Sequence, residues 1–441
     1  MITHKTDRIM EKEKEFTSYT TRVPYFPLVV EKAEGIYVTD IEGNRFIDMM
    51  ASAAVVNTGH NHPKVVEAIK KQVDKFIHYT PAYMYHRPHT ELSEKLAKIV
   101  PFGYKKRVAF GLSGSSSVDG AIKAARAFTG RRCIISFFKS YHGTTMGALS
   151  VSGYGSEMKR GMGTLLTDIY FIPYPDAYRG FSEEECLGHL EGLFDTVVPA
   201  EEVAAIIYEP FQGDGGILIP KKEFYEKLWD TAKKYGILLI ADEVQTGFGR
   251  TGKMFASEYY DIEPDLVILG KGIASGMPLS ALVGRSHILE SWSTPVHFFN
   301  TAGNAVACAA SLATIDILEK GGFLDNVNQV GDYLIKRFED MMNRCKQIGD
   351  VRGKGLFIGV DIVKDQESKD RDVDFTAKLC WRCWEKGLIL TFFSSSVLRI
   401  EPPLIINMEE AKKAADIIEE TFEEVASGLV PDSVLEKIKG W

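Results

Sequence analysis

The stretch DLVILGKG, residues 265–272, ends an apolar run with Lys271 between two glycines. Upstream, ILLIA at residues 237–241 is a second apolar run and leads into Asp242 and Glu243. Runs of this length and composition predict buried strands of a parallel sheet. Because such sheets bind their ligands at the carboxyl ends of the strands, we expect Lys271 and Asp242 to lie at a binding site.

A lysine and a carboxylate at this edge of a sheet suit one cofactor in particular. Lys271 can form an imine with the aldehyde of pyridoxal phosphate, and Asp242 can keep the pyridine nitrogen protonated so that the ring withdraws electrons. Taken singly, a surface lysine and a helix-capping aspartate are the simpler interpretations. The other motifs of the chain decide between the two.

The composition limits the classes of protein to be considered. With 441 residues, 45% of them hydrophobic and 25% charged, the chain predicts a globular protein of at least two domains. A net charge of -8 speaks against a nucleic-acid surface, and no apolar run is long enough to cross a membrane. Residues 1–16 lack the apolar core of a signal peptide and the six cysteines are too few for a disulfide framework, so we expect a cytoplasmic protein. We expect no metal site, because Cys380 and Cys383 form a lone C-x-x-C on a predicted helix.

A strand, a turn and a helix around residues 108–128 predict an anion site. The strand VAF (108–110) leads into GLSGSSS (111–117), and a helix is expected from about Val118 to Phe128. Backbone N–H groups, the helix dipole and hydroxyl groups converge at such an N-terminus, which suits a phosphate group. Glycine–serine turns also serve as ordinary helix caps, so this motif alone leaves both interpretations open.

Two further loops follow predicted strands. CIISF (133–137) leads to Tyr141, whose ring is suited to stack on a flat cofactor. AAIIY (204–208) leads to EPFQGDGG (209–216), which brings two acids to a strand's carboxyl end. The alternation of strands and helices predicts an α/β class protein.

We expect a large α/β domain with a mostly parallel sheet at residues 60–324. A smaller α+β domain is expected to be built from residues 1–59 and 325–441. The small residues 51–56 are expected to form a pocket wall more than a regular element.

Together these motifs resemble the class-III aminotransferase family of pyridoxal-phosphate enzymes along nearly the whole chain. The motifs that carry the resemblance are GHNHP (59–63), SGS (113–115), YHG (141–143), EPFQG (209–213), DEVQTGFGR (242–250) and Lys271. The resemblance implies pyridoxal phosphate as the cofactor and, for the large domain, the aspartate-aminotransferase-like fold of fold type I. Within the family the chain is similar to the isoleucine 2-epimerase and amino-acid racemase branch in ASAA (51–54), IHYTPAY (77–83), GDGG (213–216), ASGMPLSA (274–281) and Gly440-Trp441.

The resemblance implies a role for each matching residue. Lys271 would hold the cofactor, Asp242 would pair with its ring nitrogen, and Tyr141 would stack on the ring. The further cofactor-binding residues it implies are Gly114, Ser115, Glu209, Gln245 and Thr301. Thr301 would reach the phosphate of the neighbouring subunit, so the expected assembly is a homodimer, or a dimer of dimers, with the active site at the subunit interface. Where the family usually has an acid, a small residue and asparagine, this chain has Ser116, Ser117 and Val118, so the usual side-chain contacts are not carried over to these positions.

The cofactor leaves the reaction open between racemisation and transamination. In both, Lys271 takes the α-proton of an amino-acid substrate, but a racemase needs a second acid on the opposite face. Aminotransferases of the family usually carry glutamate at position 214, where it pairs as a gate with an arginine, here Arg399. Asp214 is one methylene shorter, and the racemase branch has aspartate there as its proposed second base.

The sequence therefore favours a two-base amino-acid racemase or epimerase with Lys271 and Asp214 as catalytic residues. A class-III aminotransferase of the 4-aminobutyrate or ornithine type is the alternative. The small residues 51–56 and the nearby Tyr83 predict a nonpolar, branched-chain amino acid as the substrate, with Arg399 as a second substrate-binding residue.

Overall fold

The computed structural model describes residues 4–23 and 25–438, so Gly440 and Trp441 lie outside the described residues. The helices, in chain order, are α1 (His4–Phe16), α2 (Ala51–Ala54), α3 (Pro63–Val73), α4 (Arg87–Ile99), α5 (Gly114–Thr129), α6 (Met146–Val151), α7 (Glu183–Thr196), α8 (Lys222–Tyr235), α9 (Ser286–Leu289), α10 (Ala305–Leu318), α11 (Phe323–Met342), α12 (Val373–Glu385) and α13 (Met408–Ala426). The strands are β1 (Val30–Glu34), β2 (Tyr37–Asp40), β3 (Arg45–Asp48), β4 (Lys106–Gly111), β5 (Cys133–Phe137), β6 (Ile169–Ile172), β7 (Val203–Tyr208), β8 (Leu238–Asp242), β9 (Leu266–Leu269), β10 (Ser280–Arg285), β11 (Ile348–Lys354), β12 (Phe357–Ile362), β13 (Leu388–Ile389), β14 (Thr391–Phe393) and β15 (Val397–Ile400).

The chain divides into two compact units. Pro63–Lys320 is the large unit, and Met1–His62 with Gly321–Trp441 is the small unit. The domain boundaries predicted from the sequence, 60–324 against 1–59 and 325–441, stay a proposal. None of the helices within the described ranges is long and apolar enough to span a membrane.

The large unit is built on a seven-stranded sheet with the order β4-β10-β9-β8-β7-β5-β6. β10 runs antiparallel to both of its neighbours, and the pairs from β9 through β6 are parallel. Every residue of β5, β7, β8 and β9 is buried, as the continuous apolar runs of these strands require. The predicted α/β fold with a mostly parallel sheet is confirmed.

The parallel pairing brings two motifs to one edge of this sheet. β8 ends at Asp242, and β9 beside it leads through Gly270 to Lys271. On one face of the sheet α5 contributes Val118, Ile122 and other small apolar side chains to a common core. The helix that starts at the SGS turn is therefore fixed against the strands that carry the lysine and the aspartate.

The small unit contains two four-stranded sheets. Their strand orders are β1-β2-β3-β13 and β11-β12-β15-β14. In the first, β13 pairs in parallel with β3, whereas the neighbours of the second are antiparallel. β11 and β12 form an antiparallel hairpin, with Lys354 opposite Phe357.

The segment Ala51–Ala54 is a turn with left-handed backbone. The φ angles of its four residues are 47°, 53°, 62° and 60°, a region that residues with a side chain rarely enter. Asp48 holds its start, because Oδ1 accepts the N–H groups of Met50 and Ala51 at 2.9 and 3.1 Å. Oδ2 of Asp48 lies 2.8 Å from Nε2 of His60. A segment that the sequence left irregular is thus a defined and strained turn.

Candidate active site

Lys271 stands directly after β9 with its side chain held in place. Its φ of 43° is unusual for a lysine, and its neighbour Gly270 is closely packed, since a Cβ there would come within 3.2 Å of Val244. Nζ of Lys271 donates a hydrogen bond of 2.6 Å to Oε1 of Gln245. Two residues that the sequence assigned to one cofactor are therefore in contact.

Asp242, the last residue of β8, is buried, and each of its carboxylate oxygens has a hydrogen-bond partner. Oδ2 lies 2.7 Å from Nδ1 of His142, and Oδ1 accepts the N–H of Val244 at 3.1 Å. An ionised carboxylate only accepts hydrogen bonds, so Nδ1 of His142 carries the proton. Nε2 of His142 is buried and has no partner within the described part of the chain.

Sequence reasoning missed the role of His142. The YHG motif was used for Tyr141, and the pairing of His142 with Asp242 joins positions 100 residues apart. Such a contact leaves no local pattern to detect. The available signal was that His142 lies beside Tyr141 in the loop after a predicted strand.

The SGS turn forms the first turn of a helix. α5 begins at Gly114, and the hydroxyl groups of Ser113 and Ser116 each accept the backbone N–H of the other residue, a capping box. Oγ of Ser115 accepts the N–H of Thr144 at 3.2 Å. The backbone N–H groups and the positive end of the helix dipole make this N-terminus a cradle for an anion.

The cradle has no room for extra side chains. A Cβ on Gly114 would approach Val244 at 2.9 Å, and a Cβ on Gly143 would collide with Oγ of Ser115 at 2.0 Å. These glycines therefore allow Val244 and Ser115 to pack closely at the helix N-terminus, which a side chain at either position would disturb.

The three positions that depart from the family pattern all serve the protein's own packing. Ser116 is in the capping box, and Oγ of Ser117 lies 2.7 Å from Oγ of Ser280 on β10. Val118 belongs to the apolar core. The hydroxyls of Ser116 and Ser117 thus have protein partners.

Glu209 directly follows β7, and its side chain is buried. Its Oε1 accepts the N–H of Tyr141 at 2.9 Å, and its Oε2 accepts the N–H of Gly213 at 3.0 Å. Burial raises the pKa of Glu209 to about 7, although nearby His142 and the two N–H donors act in the opposite direction. Glu209 therefore joins two loops, and its predicted contact with the cofactor stays a prediction.

Asp214 is buried in the loop that follows β7, only 6% exposed. Burial, and after it the charge of Asp214, raises the pKa of Tyr141. The preceding Gly213 is packed under Gln245, whose Oε1 would lie 2.6 Å from an added Cβ. Gly213, the neighbour of Asp214 in the chain, and Lys271 thus both border Gln245.

Three further predicted residues lie in other parts of the chain. Tyr83 is 70% exposed in the loop between α3 and α4, and Thr301 is exposed shortly before α10. Arg399 is a buried residue of β15 in the small unit. Its guanidinium carbon lies 3.3 Å from the centre of the Phe393 ring, and its Nε lies 3.8 Å from Oε2 of Glu401.

The large unit therefore assembles a lysine, a carboxylate, an anion cradle and a half-buried tyrosine ring at one end of its sheet. No group of three His, Cys, Asp or Glu side chains in the described ranges is arranged to hold a metal ion. The four features match the aldehyde, the pyridine nitrogen, the phosphate and the flat ring of pyridoxal phosphate. The fold and the site define the class of pyridoxal-phosphate enzymes of fold type I.

Comparison with known proteins agrees. The Aminotransferase class-III profile matches residues 18–422. The isoleucine 2-epimerase of Lentilactobacillus buchneri is 42% identical over 97% of this chain and 96% of its own length. The leucine/methionine racemase of Thermococcus litoralis is 42% identical over 99% and 100%. The 5-aminovalerate aminotransferase of Pseudomonas aeruginosa is 36% identical over 91% and 94%.

Among solved structures, an amine transaminase from an uncultivated Pseudomonas species in its PLP-bound form superimposes with a TM-score of 0.84 at 30% identity, covering 90% of this chain and 95% of that chain. The chain belongs to the class-III aminotransferase family, whose enzymes depend on pyridoxal phosphate.

Proposed function

We propose that this protein is a pyridoxal-phosphate-dependent amino-acid racemase or epimerase that works with two bases, Lys271 and Asp214. The observation that carries the proposal is the buried Asp214, which follows Gly213 in the loop that Glu209 joins to Tyr141, at the same end of the sheet as Lys271. The epimerase and the racemase at 42% identity support it. Both relatives align over nearly the full length of the chain.

The chemistry divides between the cofactor and two side chains. Bound pyridoxal phosphate supplies an electron sink for the pair left behind when the α-proton departs. Nζ of Lys271 takes that proton from one face of the α-carbon, and the carboxyl group of Asp214 delivers a proton to the other face. In the reverse direction the two groups exchange roles.

The remaining residues orient the cofactor. Asp242 would keep the pyridine nitrogen protonated, and His142 holds the carboxylate of Asp242 for that purpose. Gln245, already in contact with Lys271, would bind the phenolic oxygen. Gly114 and Ser115 would bind the phosphate at the N-terminus of α5.

For the substrate we propose a nonpolar amino acid. Isoleucine, leucine and methionine are the substrates in the names of two relatives, which supports this choice. Arg399 would bind the substrate's carboxylate, because a guanidinium fork matches a carboxylate and its stacking on Phe393 fixes the fork. Tyr83 would contact the substrate's side chain.

The test uses the purified enzyme with L-isoleucine in D₂O and no keto acid. We expect D-allo-isoleucine to accumulate over many turnovers, seen by chiral chromatography, with deuterium at the α-carbon by NMR. Asp214→Asn should lose the epimer and still exchange the α-proton for deuterium with retention, because Lys271 works from the opposite face. Lys271→Ala should lose both.

An aminotransferase is the second candidate, supported by the aminotransferase at 36% identity. It predicts no epimer, and keto acid only once 2-oxoglutarate or pyruvate is supplied. Asp214→Glu is a useful comparison, because it restores the residue that aminotransferases of the family usually carry. A wild type that behaves in this way would rule out the racemase.

We also propose a homodimer, or a dimer of dimers, in which the partner's Thr301 binds the phosphate. A loop of the large unit supports this, because it exposes five large apolar side chains. They are Ile77, Tyr79, Tyr83, Met84 and Tyr85, each more than half exposed.

The six cysteines are all free thiols, which supports the predicted cytoplasmic location.

Mixing two inactive variants tests whether Thr301 acts across subunits. In a hybrid of Lys271→Ala with Thr301→Val, one site combines an intact Lys271 with the partner's Thr301. Activity should therefore appear on mixing, at up to a quarter of the wild-type value from random reassortment. A mixture no more active than its components would mean that Thr301 serves its own subunit.

A further inference from the structure

Two buried tyrosines form hydrogen bonds with the backbone at the start of the loop that carries Asp214. The hydroxyl groups of Tyr174 and Tyr225 lie 2.9 Å apart, and each is 2.9 Å from the carbonyl oxygen of Glu209. They are also 3.2 and 2.9 Å from the carbonyl oxygen of Pro210. Two hydroxyl protons thus face two carbonyl oxygens, so both carbonyls can be satisfied at once.

Further hydrogen bonds connect Glu209 with the residues next to Asp214. The side chain of Glu209 turns back and accepts the N–H of Gly213, the residue before Asp214. Gly213 in turn accepts the N–H groups of Gly216 and Ile217, which closes the loop. Every contact in this series lies in the large unit, and each partner is buried.

The two hydroxyls are donors at any working pH. Burial raises the pKa of Tyr174 and of Tyr225 well above the ordinary value of a phenol. Their rings are also locked, since Tyr225 lies 4.3 Å from the ring of Tyr260, and Tyr174 packs edge-on against Phe137 at 5.4 Å. The pair is therefore a rigid support.

We propose that Tyr174 and Tyr225 are positioning residues that hold Asp214 as a fixed proton donor on its face of the substrate. The inference rests on the proposed racemase function. A swinging gate needs a mobile loop, whereas a second base must meet the α-carbon at a constant distance. The hydrogen bonds of this loop serve the second requirement.

The test compares Tyr174→Phe and Tyr225→Phe with Tyr208→Phe. Tyr208 is a matched control: it is fully buried, its ring lies 5.1 Å from that of Tyr225, and its hydroxyl has no partner in the described part of the chain. The readout is the ratio of inversion to retention when L-isoleucine exchanges its α-proton in D₂O. Inversion needs Asp214, and retention needs only Lys271.

We expect each of the two variants to lower this ratio about fivefold, the effect of one lost hydrogen bond, with Tyr208→Phe unchanged. Amide hydrogen exchange of the peptide that covers residues 209–216 should become faster in the same two variants, with or without the cofactor. An unchanged ratio, an equal fall in Tyr208→Phe, or unaltered amide exchange would each overturn the proposal.

Failure of the proposed function is distinguishable from failure of this inference. A wild type that transaminates without forming epimer removes the racemase. The amide-exchange comparison between Tyr225→Phe and Tyr208→Phe still decides whether the tyrosine pair holds the loop.

Discussion

Single residues decide what the end of the sheet can do chemically. Glu209 has two carboxylate oxygens and two backbone N–H donors, so its ionised form satisfies both loops at once. The sequence predicted that Glu209 lies at the site, because an acid follows an apolar strand. It could not predict the partners, because Tyr141 and Gly213 are brought to Glu209 by the fold and not by sequence spacing.

Glu209→Gln should therefore weaken the loop without changing its volume. An amide has one acceptor oxygen and one NH₂ group, and the NH₂ would face a backbone N–H, leaving both unsatisfied. We expect a loss of about 1–3 kcal/mol of unfolding free energy, measured by urea denaturation above pH 7, where the carboxyl group of Glu209 is ionised. Glu209→Gln with wild-type stability would contradict the two-sided role of the carboxylate.

His297 makes the stability depend on pH. Burial lowers the pKa of His297 to about 4, helped by the charge of Lys123, and neither ring nitrogen has a partner within the described residues. Between pH 6.5 and 4 the unfolded chain binds a proton that the folded protein does not, so the free energy of unfolding falls as the pH is lowered through this window.

His297→Phe should reduce that dependence. We expect the stability lost between pH 6.5 and 4 to be smaller in the variant by about 3 kcal/mol, because phenylalanine does not titrate and one unit of pKa corresponds to about 1.4 kcal/mol. Trp292 and Phe299 can pack against the new ring. The measurement is thermal unfolding of both proteins at several pH values. If stability depends on pH in the same way in both proteins, the pKa of His297 is not lowered in the folded state.

At the scale of elements, the position of a helix N-terminus decides whether the anion cradle exists. The sequence predicted α5 from about Val118, whereas the helix begins at Gly114, so the SGS motif is its first turn. Apolar runs predicted β5, β7, β8 and β9, because burial in a sheet leaves a local pattern. The strands β1, β11 and β14 and the helices α6 and α7 were not predicted.

Gly114→Ala tests the cradle. The new Cβ would meet the side chain of Val244 at 2.9 Å, and Val244 is also the residue that orients Asp242. We expect the dissociation constant for pyridoxal phosphate to rise at least about tenfold, since a misplaced phosphate loses charge-assisted hydrogen bonds. Equilibrium dialysis measures the constant.

Gly188→Ala is the control for this variant. Gly188 lies in α7, where nothing stands within 4 Å of an added Cβ, so the substitution should leave cofactor affinity unchanged. Equal affinity of the Gly114 and Gly188 variants would mean that the N-terminus of α5 does not bind the phosphate.

The exposed apolar loop matters at the scale of the whole molecule. Tyr85 is fully exposed, and its neighbours Tyr83 and Met84 are 70% and 56% exposed, a density that the surface of a monomer seldom carries. The sequence shows Tyr79, Tyr83 and Tyr85 in this loop, a pattern that fits a lid as well as an interface anchor. The sequence of one chain cannot decide between a lid and an interface anchor, because the residues of a partner surface do not lie next to this loop in the sequence.

Tyr85→Asp should weaken the proposed homodimer. Burying a charge in an apolar contact is costly, so we expect the dissociation constant of the dimer to rise at least about tenfold in sedimentation equilibrium. Val197→Asp is the control, because Val197 is 60% exposed in the same unit but lies outside the loop. Equal dissociation of the two variants would remove the loop from the interface.

The left-handed turn Ala51–Ala54 has a consequence for mutational tolerance. Four consecutive φ angles near +55° exclude the β-branched side chains, whereas glycine and asparagine adopt such angles at low cost. In a saturation library, valine, isoleucine and threonine at positions 52 and 53 should disappear under selection for folded protein. Glycine at position 52 should be enriched. Few amino acids are thus tolerated in this segment. The backbone conformation imposes this limit independently of the substrate.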